Sequence, residues 1–405
     1  MANFLLAWEL GGGLGHAGRL KTLAVELGRR GHDVTIALRD LVHPRTLFRD
    51  VRCRRLQSPV WLHDTVGVPA KAASLAEILL AEGYFDADAL DSLVGGWRDL
   101  AGAVRAELVV ADYAPTAITA ARTLGVPSVA VGLGFYLPPA RRPLPSIRDW
   151  ARLPEGRLEE SEARLLQSVN EVLRRHGAAP FAQGWQLFAG DRSLLCAWPE
   201  IDHYARGALP PGEHWYGPTF LAGGGVAPDW PDGGGPRVFA YVKSGYAEHA
   251  AVLEALVRQG CRTLCYLPDV AAGKSPPVDH PSIRYAPGPV DLSRAFAKAQ
   301  LCVSHAGGAT MCQALLAGLP LLLLPMQGEQ FLLARSVERL GAAINAGARP
   351  KPVDYGALVA TLIGDASART AARAFADAHR GFSQEQQAAD LCDAIEAMLP
   401  SSAPG

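Results

Sequence analysis

Residues 299–341 read AQLCVSHAGGATMCQALLAGLPLLLLPMQGEQFLLARSVERLG, and the order of apolar and glycine-rich pieces in them decides the fold. Residues 301–304 are a short apolar run, long enough for a buried strand. His305 follows, then Ala306-Gly307-Gly308-Ala309. Adjacent glycines permit positive φ and leave backbone N–H groups uncovered. From 310 to 317 the pattern is helical, and Gly318 supplies the stop. Leu319-Pro320 leads into a second apolar run, 321–324, closed by Pro325. Gln327-Gly328-Glu329-Gln330 is a polar turn, and a second helix runs to a stop at Gly341. The result is strand, glycine turn, helix, strand, polar turn, helix. Both turns then fall at the carboxyl ends of strands, the edge where parallel sheets bind ligands. Exposed N–H groups at a helix start suit a phosphate, and His305 is placed to donate one more bond to it.

The first forty residues repeat the theme. Residues 3–8 read as a buried strand, 9–15 as a glycine-dense turn, 17–30 as a helix with Leu20, Leu23, Ala24 and Leu27 on one face, and 33–38 as a second strand. Gly13-Leu14-Gly15-His16-Ala17-Gly18 fits the G-x-G-x-x-G pattern of dinucleotide sites, with Asp40 as a candidate ribose ligand. Against that use, His16 stands where a pyrophosphate needs close backbone approach.

Between these ends the chain alternates strands and helices, with a strand over 107–111 and Asp112 at its carboxyl end. Residues 44–68 read as irregular. Asp86-Ala87-Asp88 sits between helical flanks and reads as a solvated helix start. Residues 132–147 form a glycine-, proline- and aromatic-rich loop carrying Phe135 and Tyr136. Such a loop either lines a binding cleft or is a surface connection. Residues 222–235, with six glycines and two prolines, are the best linker in the chain.

Composition sets bounds. The 405 residues suffice for two or three domains, and 49% are hydrophobic, so a full core is available. A net charge of −1 argues against a nucleic-acid surface. Seven scattered cysteines make no disulfide framework, and Cys261 and Cys265 read as two buried thiols. No signal peptide and no apolar run of membrane-spanning length appear. The expectation is a cytoplasmic protein without a transmembrane segment.

The 299–341 stretch resembles the donor-binding motif of inverting, nucleotide-sugar-dependent glycosyltransferases of the GT-B fold, the group that includes macrolide and plant secondary-metabolite enzymes. His305, Gly307, Thr310, Ala317-Gly318-Leu319-Pro320, Pro325 and Glu329-Gln330 fall in register. The glycine turn ending in Gly15-His16 resembles the opening of that family's first domain. It departs after the histidine, where a proline is common and Gly18-Arg19 stand here. The resemblance implies an α/β protein with two Rossmann-like domains facing across a cleft. The expected acceptor-binding domain is 1–221, the linker 222–236 and the donor-binding domain 237–381. Residues 382–405 are expected to carry a helix returning to the first domain, and a tail.

The same resemblance assigns roles. Ser244, His305, Gly307, Gly308 and Thr310 would hold the diphosphate of the donor, and the backbone at Val290 the edge of its base. Lys243 precedes Ser244 where glycine is usual. Glu329 and Gln330 would bind hydroxyls of the transferred sugar, at ~1.5–3 kcal/mol for each charged hydrogen bond. The ribose contact is usually a glutamate; here it is Gln313, with one acceptor oxygen and two donor hydrogens. That substitution leaves uridine diphosphate as first expectation and deoxythymidine diphosphate next. His16 would be the general base and Asp112 its orienting carboxylate, since imidazole titrates near neutrality. The plainer readings are a packing or capping histidine and a helix cap before Pro115. Phe135 and Tyr136 would touch the acceptor. No metal and no resident cofactor are expected. The acceptor is expected to be a small molecule, with a lipid or a protein as the other choices, and nucleic acid is not expected.

Three other readings share these residues. They are a GT-B nucleotide-sugar epimerase, an NAD(P)-dependent enzyme built on Gly13–Gly18, and a sugar-nucleotide-binding protein without catalysis.

Overall fold

The computed structural model describes residues 1–220 and 224–399. The chain divides into two compact units, one formed by 1–219 together with the segment from Ser383, the other by 220–382. Each is built on a six-stranded parallel sheet, so the α/β class expected from the sequence is what the chain adopts.

The first sheet uses β1 Asn3–Trp8, β2 Asp33–Leu38, β3 Arg54–Gln57, β4 Leu108–Asp112, β5 Ser128–Gly132 and β6 Arg192–Leu195, ordered β3-β2-β1-β4-β5-β6. Runs such as FLLAW, VTIAL and LVVAD are buried almost throughout, as strands covered by helices on both faces must be. β3 corrects the expectation that 44–68 is irregular. Its sequence RRLQ has no apolar pattern because it is an exposed edge strand, and arginines there also discourage pairing with another chain.

The second sheet uses β7 Arg237–Tyr241, β8 Arg262–Tyr266, β9 Ile283–Tyr285, β10 Leu301–Ser304, β11 Leu321–Leu323 and β12 Ala343–Asn345, ordered β12-β11-β10-β7-β8-β9. Counted within its own unit, this is the same order as the first sheet. In both, the order reverses at the first and fourth strands. Ligands of open parallel sheets bind outside the carboxyl ends of the strands at that reversal. The positions concerned are the ends of β1 and β4 in one unit, and of β7 and β10 in the other.

The segment expected as a linker is fixed to the second unit where it is described. Val226 N–H donates to the Pro289 carbonyl at 2.7 Å, and Asp291 N–H returns a bond to the Val226 carbonyl at 3.0 Å. Residues 221–223 and the tail at 400–405 lie outside the described residues. Helix Gln384–Glu396 belongs to the first unit, where Leu391, Cys392, Ala394 and Ile395 complete the core beneath β1 and helix Leu14–Arg29. Arg30 bridges that helix to Asp393 at 2.6 Å and Glu396 at 2.5 Å. Asp86 caps helix Ala87–Ala103 by accepting from Asp88 N and Ala89 N, as its flanks implied. Cys261 and Cys265 are buried free thiols.

Candidate active site

The first cluster forms at the reversal point of the first sheet. β1 ends at Trp8, and Gly11 and Gly13 turn the chain through φ +75° and +87°, a region glycine enters without a Cβ penalty. Helix Leu14–Arg29 then starts, and its third and sixth positions, His16 and Arg19, point the same way because three residues make almost one turn. Both reach Asp112, the last residue of β4, which has no exposed surface. His16 Nδ1 stands 2.8 Å from Asp112 Oδ1, and Arg19 Nη1 stands 2.5 Å from Asp112 Oδ2. A carboxylate only accepts, so Nδ1 carries the proton of the neutral ring and Nε2 keeps its lone pair.

Aromatic rings hold the imidazole in place. Trp8 stacks on it with centroids 5.4 Å apart, and Tyr136 lies 5.1 Å away. Tyr113 stacks on Tyr136 at 4.7 Å. Arg19 Nη1 also donates to the Tyr136 hydroxyl at 3.2 Å. Nε2 faces Gly11, where a Cβ would come within 2.7 Å of it. Burial works against the charge of Arg19, but the Asp112 carboxylate beside it outweighs that and holds it firmly as a cation.

Glu9, just past β1, is 2% exposed and was read from sequence only as the start of the turn. Its carboxyl receives Thr116 N–H at 3.0 Å and bonds the Thr116 hydroxyl, pinning the glycine turn to the start of helix Pro115–Leu124. Burial pushes this carboxyl up to about 8, against the opposing pull of the Thr116 bonds. Arg19, Glu9, Gly11 and Tyr113 were not among the expected site residues. Only the three-residue spacing of His16 and Arg19 hinted at any of them.

Phe135 and Tyr136 correct the sequence reading. They lie in a short turn, Gly134–Tyr136, and are 6% and 5% exposed. They form neither a surface connection nor an open lining: Tyr136 packs against His16 and Phe135 against His203, with centroids 5.8 Å apart. Asp40, the candidate ribose ligand of a dinucleotide site, spends its carboxylate on its own turn. It accepts from Val42 N at 2.7 Å, His43 N at 3.2 Å and the His43 ring at 2.8 Å.

The second cluster lies at the reversal point of the second sheet. Helix Gly308–Leu316 begins at Gly307 with no side chain capping it. The N–H groups of Gly308, Ala309 and Thr310 therefore have no acceptor within the helix. A Cβ on Gly307 would meet nothing within 4 Å. The positive φ expected of the glycine pair falls instead on Ala306, at +57°.

His305 departs from its expected part. It is 2% exposed and both ring nitrogens are engaged: Nδ1 with the Leu324 carbonyl at 2.7 Å, and Nε2 as acceptor from Lys243 N–H at 2.9 Å. With its one proton given to Leu324, the neutral ring has none for a phosphate. It is a strut joining the chain after β7 to the chain after β11. Burial, with the Lys243 charge adding to it, lowers its affinity for a second proton.

The remaining expected residues surround this turn. Ser244 follows β7, and its hydroxyl bonds Asp269, which holds that carboxyl below its usual range. Val290 is bridged to Val226 through its neighbours' bonds, so its own N–H and C=O point away from that strand. Gln313 donates to the Ala309 carbonyl one turn back at 3.2 Å. Gln330 takes Met326 N–H on its oxygen at 2.9 Å, and Glu329 accepts from Gln327 at 3.3 Å. Among the described residues no three His, Cys, Asp or Glu are placed to hold a metal ion, and no helix is long and apolar enough to cross a membrane.

Comparison with known proteins agrees with this geometry. Residues 282–355 match the glycosyltransferase family 28 C-terminal domain. A PGL/p-HBAD biosynthesis rhamnosyltransferase of Mycobacterium bovis (strain BCG / Pasteur 1173P2) is 28% identical over 254 residues, 59% of this chain and 56% of that protein. The chain thus spans little more than half the length of that relative. A PGL/p-HBAD biosynthesis glycosyltransferase of Mycobacterium tuberculosis (strain ATCC 25177 / H37Ra) is 25% identical over 81% of this chain and 80% of its own. Among solved structures, the calicheamicin glycosyltransferase CalG4 superposes with a TM-score of 0.71 at 19% identity, covering 100% of this chain and 99% of its own. The glycosyltransferase VinC, solved with dTDP, gives 0.63 at 18% identity, covering 98% and 100%. Two parallel sheets of one strand order, each with its residues of interest at the reversal point, and the superposition on these structures lead to one assignment: the chain has the GT-B fold, and residues 282–355 of its second unit resemble the glycosyltransferase family 28 C-terminal domain.

Proposed function

We propose that the protein transfers a sugar from a nucleoside diphosphate sugar to a hydroxyl group of an acceptor, with inversion at the anomeric carbon. The observation that carries this is the His16–Asp112 pair, with Nδ1 committed to the carboxylate and Nε2 facing the gap left by Gly11. Nε2 takes the acceptor's hydroxyl proton. The acceptor oxygen forms its bond to the anomeric carbon as the bond to the diphosphate breaks, and the electron pair leaves on the diphosphate. Asp112 holds the ring in the needed tautomer and stabilises the imidazolium that forms, the logic of a hydrolase triad.

In the second unit, the N–H groups of Gly308, Ala309 and Thr310, the helix dipole and the Lys243 ammonium stabilise the leaving diphosphate. On this reading the reaction needs no metal. His305 supports the turn by holding Lys243 and Leu324 together. Gln330 has its oxygen committed to the loop, so its amide N–H group addresses the sugar, with Glu329 as acceptor for a sugar hydroxyl. Gln313 in place of a glutamate favours a donor whose ribose asks for fewer charged contacts. Uridine and deoxythymidine diphosphates are the candidates, and the dTDP complex of VinC supports the second. The dinucleotide reading is disfavoured because Asp40 is spent on its own turn.

The test is calorimetry with UDP, dTDP, NAD and NADP, in buffer with and without EDTA, followed by acceptor screening with the diphosphate that binds. Binding of a nucleoside diphosphate, unchanged by EDTA, supports the reading. Tight nicotinamide dinucleotide binding with no nucleoside diphosphate binding overturns it.

A further inference from the structure

We propose that Arg19 is a positioning residue that shares Asp112 with His16 and thereby keeps the imidazole free of solvent protons toward lower pH. The inference rests on the reading of His16 as the base, and it concerns a residue at the point where the chain departs from the family's usual proline.

Arg19 is 2% exposed and sits on the same helix face as His16. A buried guanidinium is costly unless its partner is also fixed, and Asp112, with no exposed surface, is that partner. The carboxylate gives one oxygen to each base: Oδ1 to His16 Nδ1 at 2.8 Å, Oδ2 to Arg19 Nη1 at 2.5 Å. The bond from the same Nη1 to the Tyr136 hydroxyl fixes the guanidinium against the ring that packs on His16. Arg19 Nε has no partner among the described residues, and the bonds to Asp112 and Tyr136 both run through Nη1.

The charge count gives the consequence. With Arg19 present, Arg19, Asp112 and neutral His16 sum to zero, and proton uptake by the ring makes the buried trio +1. Without the guanidinium the sum is −1 and uptake brings it to zero. Charge differences of this kind weigh heavily where water is excluded. Trp8, Tyr113 and Tyr136 face the ring as aromatic walls, and Nε2 faces the space beside Gly11. Asp112 and Arg19 are the charged groups tied into this network by hydrogen bonds. An Asp112 serving His16 alone would attract a proton to the ring before an acceptor arrives; Arg19 withdraws part of that attraction while leaving the orienting bond intact.

The experiment follows the imidazole Cε1–Hε1 signals of the full chain by NMR across pH, with His16→Gln to assign the His16 signal. Arg19→Gln is expected to raise the midpoint of that signal by roughly 1–3 pH units, the usual effect of removing a charge at this range. Arg19→Lys, which keeps the charge, is expected to stay near wild type. Asp112→Asn, which leaves Arg19 unopposed, is expected to move the midpoint down, and it serves if Arg19→Gln does not fold. An unmoved midpoint in folded Arg19→Gln, an equal shift in Arg19→Lys, or an upward shift in Asp112→Asn overturns the inference. The titration needs no substrate. If His16 is not the base, that appears separately, as wild-type transfer by His16→Gln.

Discussion

A methyl group on Gly11 would lie 2.7 Å from His16 Nε2, closer than any carbon and nitrogen tolerate without bonding. Gly11 also holds a φ of +75°. Gly11→Ala therefore both strains the turn and covers the proton-accepting nitrogen. Transfer is expected to fall by roughly 10²–10⁴-fold, the span for loss of a general base, with nucleoside diphosphate affinity unchanged by calorimetry. Near-wild-type transfer would show that Nε2 is not approached from this side.

His16→Ala is expected to give a loss of the same order, again with diphosphate binding intact. Asp112→Asn should also lower transfer, since an amide no longer dictates which ring nitrogen carries the proton. Steady-state rates with an acceptor found by screening, beside a donor-binding titration, check both. Wild-type rates in His16→Ala would remove that residue from the mechanism.

The raised carboxyl of Glu9 makes stability depend on pH. In the unfolded chain it ionises near 4.5, and in the folded chain near 8. The fold thus favours the protonated form. Its contribution is fully present below pH 4.5 and is lost as pH rises through 8, on the order of 3–5 kcal/mol in all. Glu9→Gln keeps the shape without the charge. Denaturant unfolding at pH 6 and pH 8.5 should show wild type weakening with pH and the variant much less so. Parallel behaviour would mean that Glu9 is already ionised at pH 6.

His305→Ala leaves Lys243 N–H and the Leu324 carbonyl without their imidazole partner. Each unmet buried polar group costs about 1–3 kcal/mol. The variant is expected to unfold at lower denaturant and to bind nucleoside diphosphate more weakly as the turn loosens. Weaker binding with unchanged stability would instead argue that the ring touches the phosphate directly.

Glu329→Ala is expected to cut transfer while leaving nucleoside diphosphate affinity nearly intact, because the residue addresses the sugar on this reading. Loss of both together would mean that Glu329 supports the turn 327–330.

The second unit was the more legible in sequence because its glycine turn and helix are local. The helix start, the Gly318 stop and the strands on either side all lie within forty residues, and hydrophobic period alone separates them. β3 escaped because an exposed edge strand carries no period to read. β12, only Ala343–Asn345, is too short to stand out. The part of Arg19 depends on where β4 ends, ninety-three positions away along the chain; nothing in the RLKTL that follows Gly18 states that it is buried. His305 was visible as a residue but not as a strut, since its partners Lys243 and Leu324 meet only when β7, β10 and β11 lie side by side. Phe135 and Tyr136 were misplaced because an aromatic, proline-rich loop looks the same whether it faces solvent or packs inward.

The return of the chain's end to its beginning has a consequence for synthesis. Leu391, Cys392 and Ile395 are part of the same apolar cluster as Phe4, Leu20 and Ile36. Residues 220–382, by contrast, form an uninterrupted unit. A ribosome that has released the first 219 residues has made six strands of a sheet whose apolar floor is still open. The second unit, though later in sequence, is the first whose every piece is available. The amino-terminal unit must wait, partly uncovered, until the helix ending at Glu396 emerges, and any stop codon between 220 and 383 leaves it permanently unfinished.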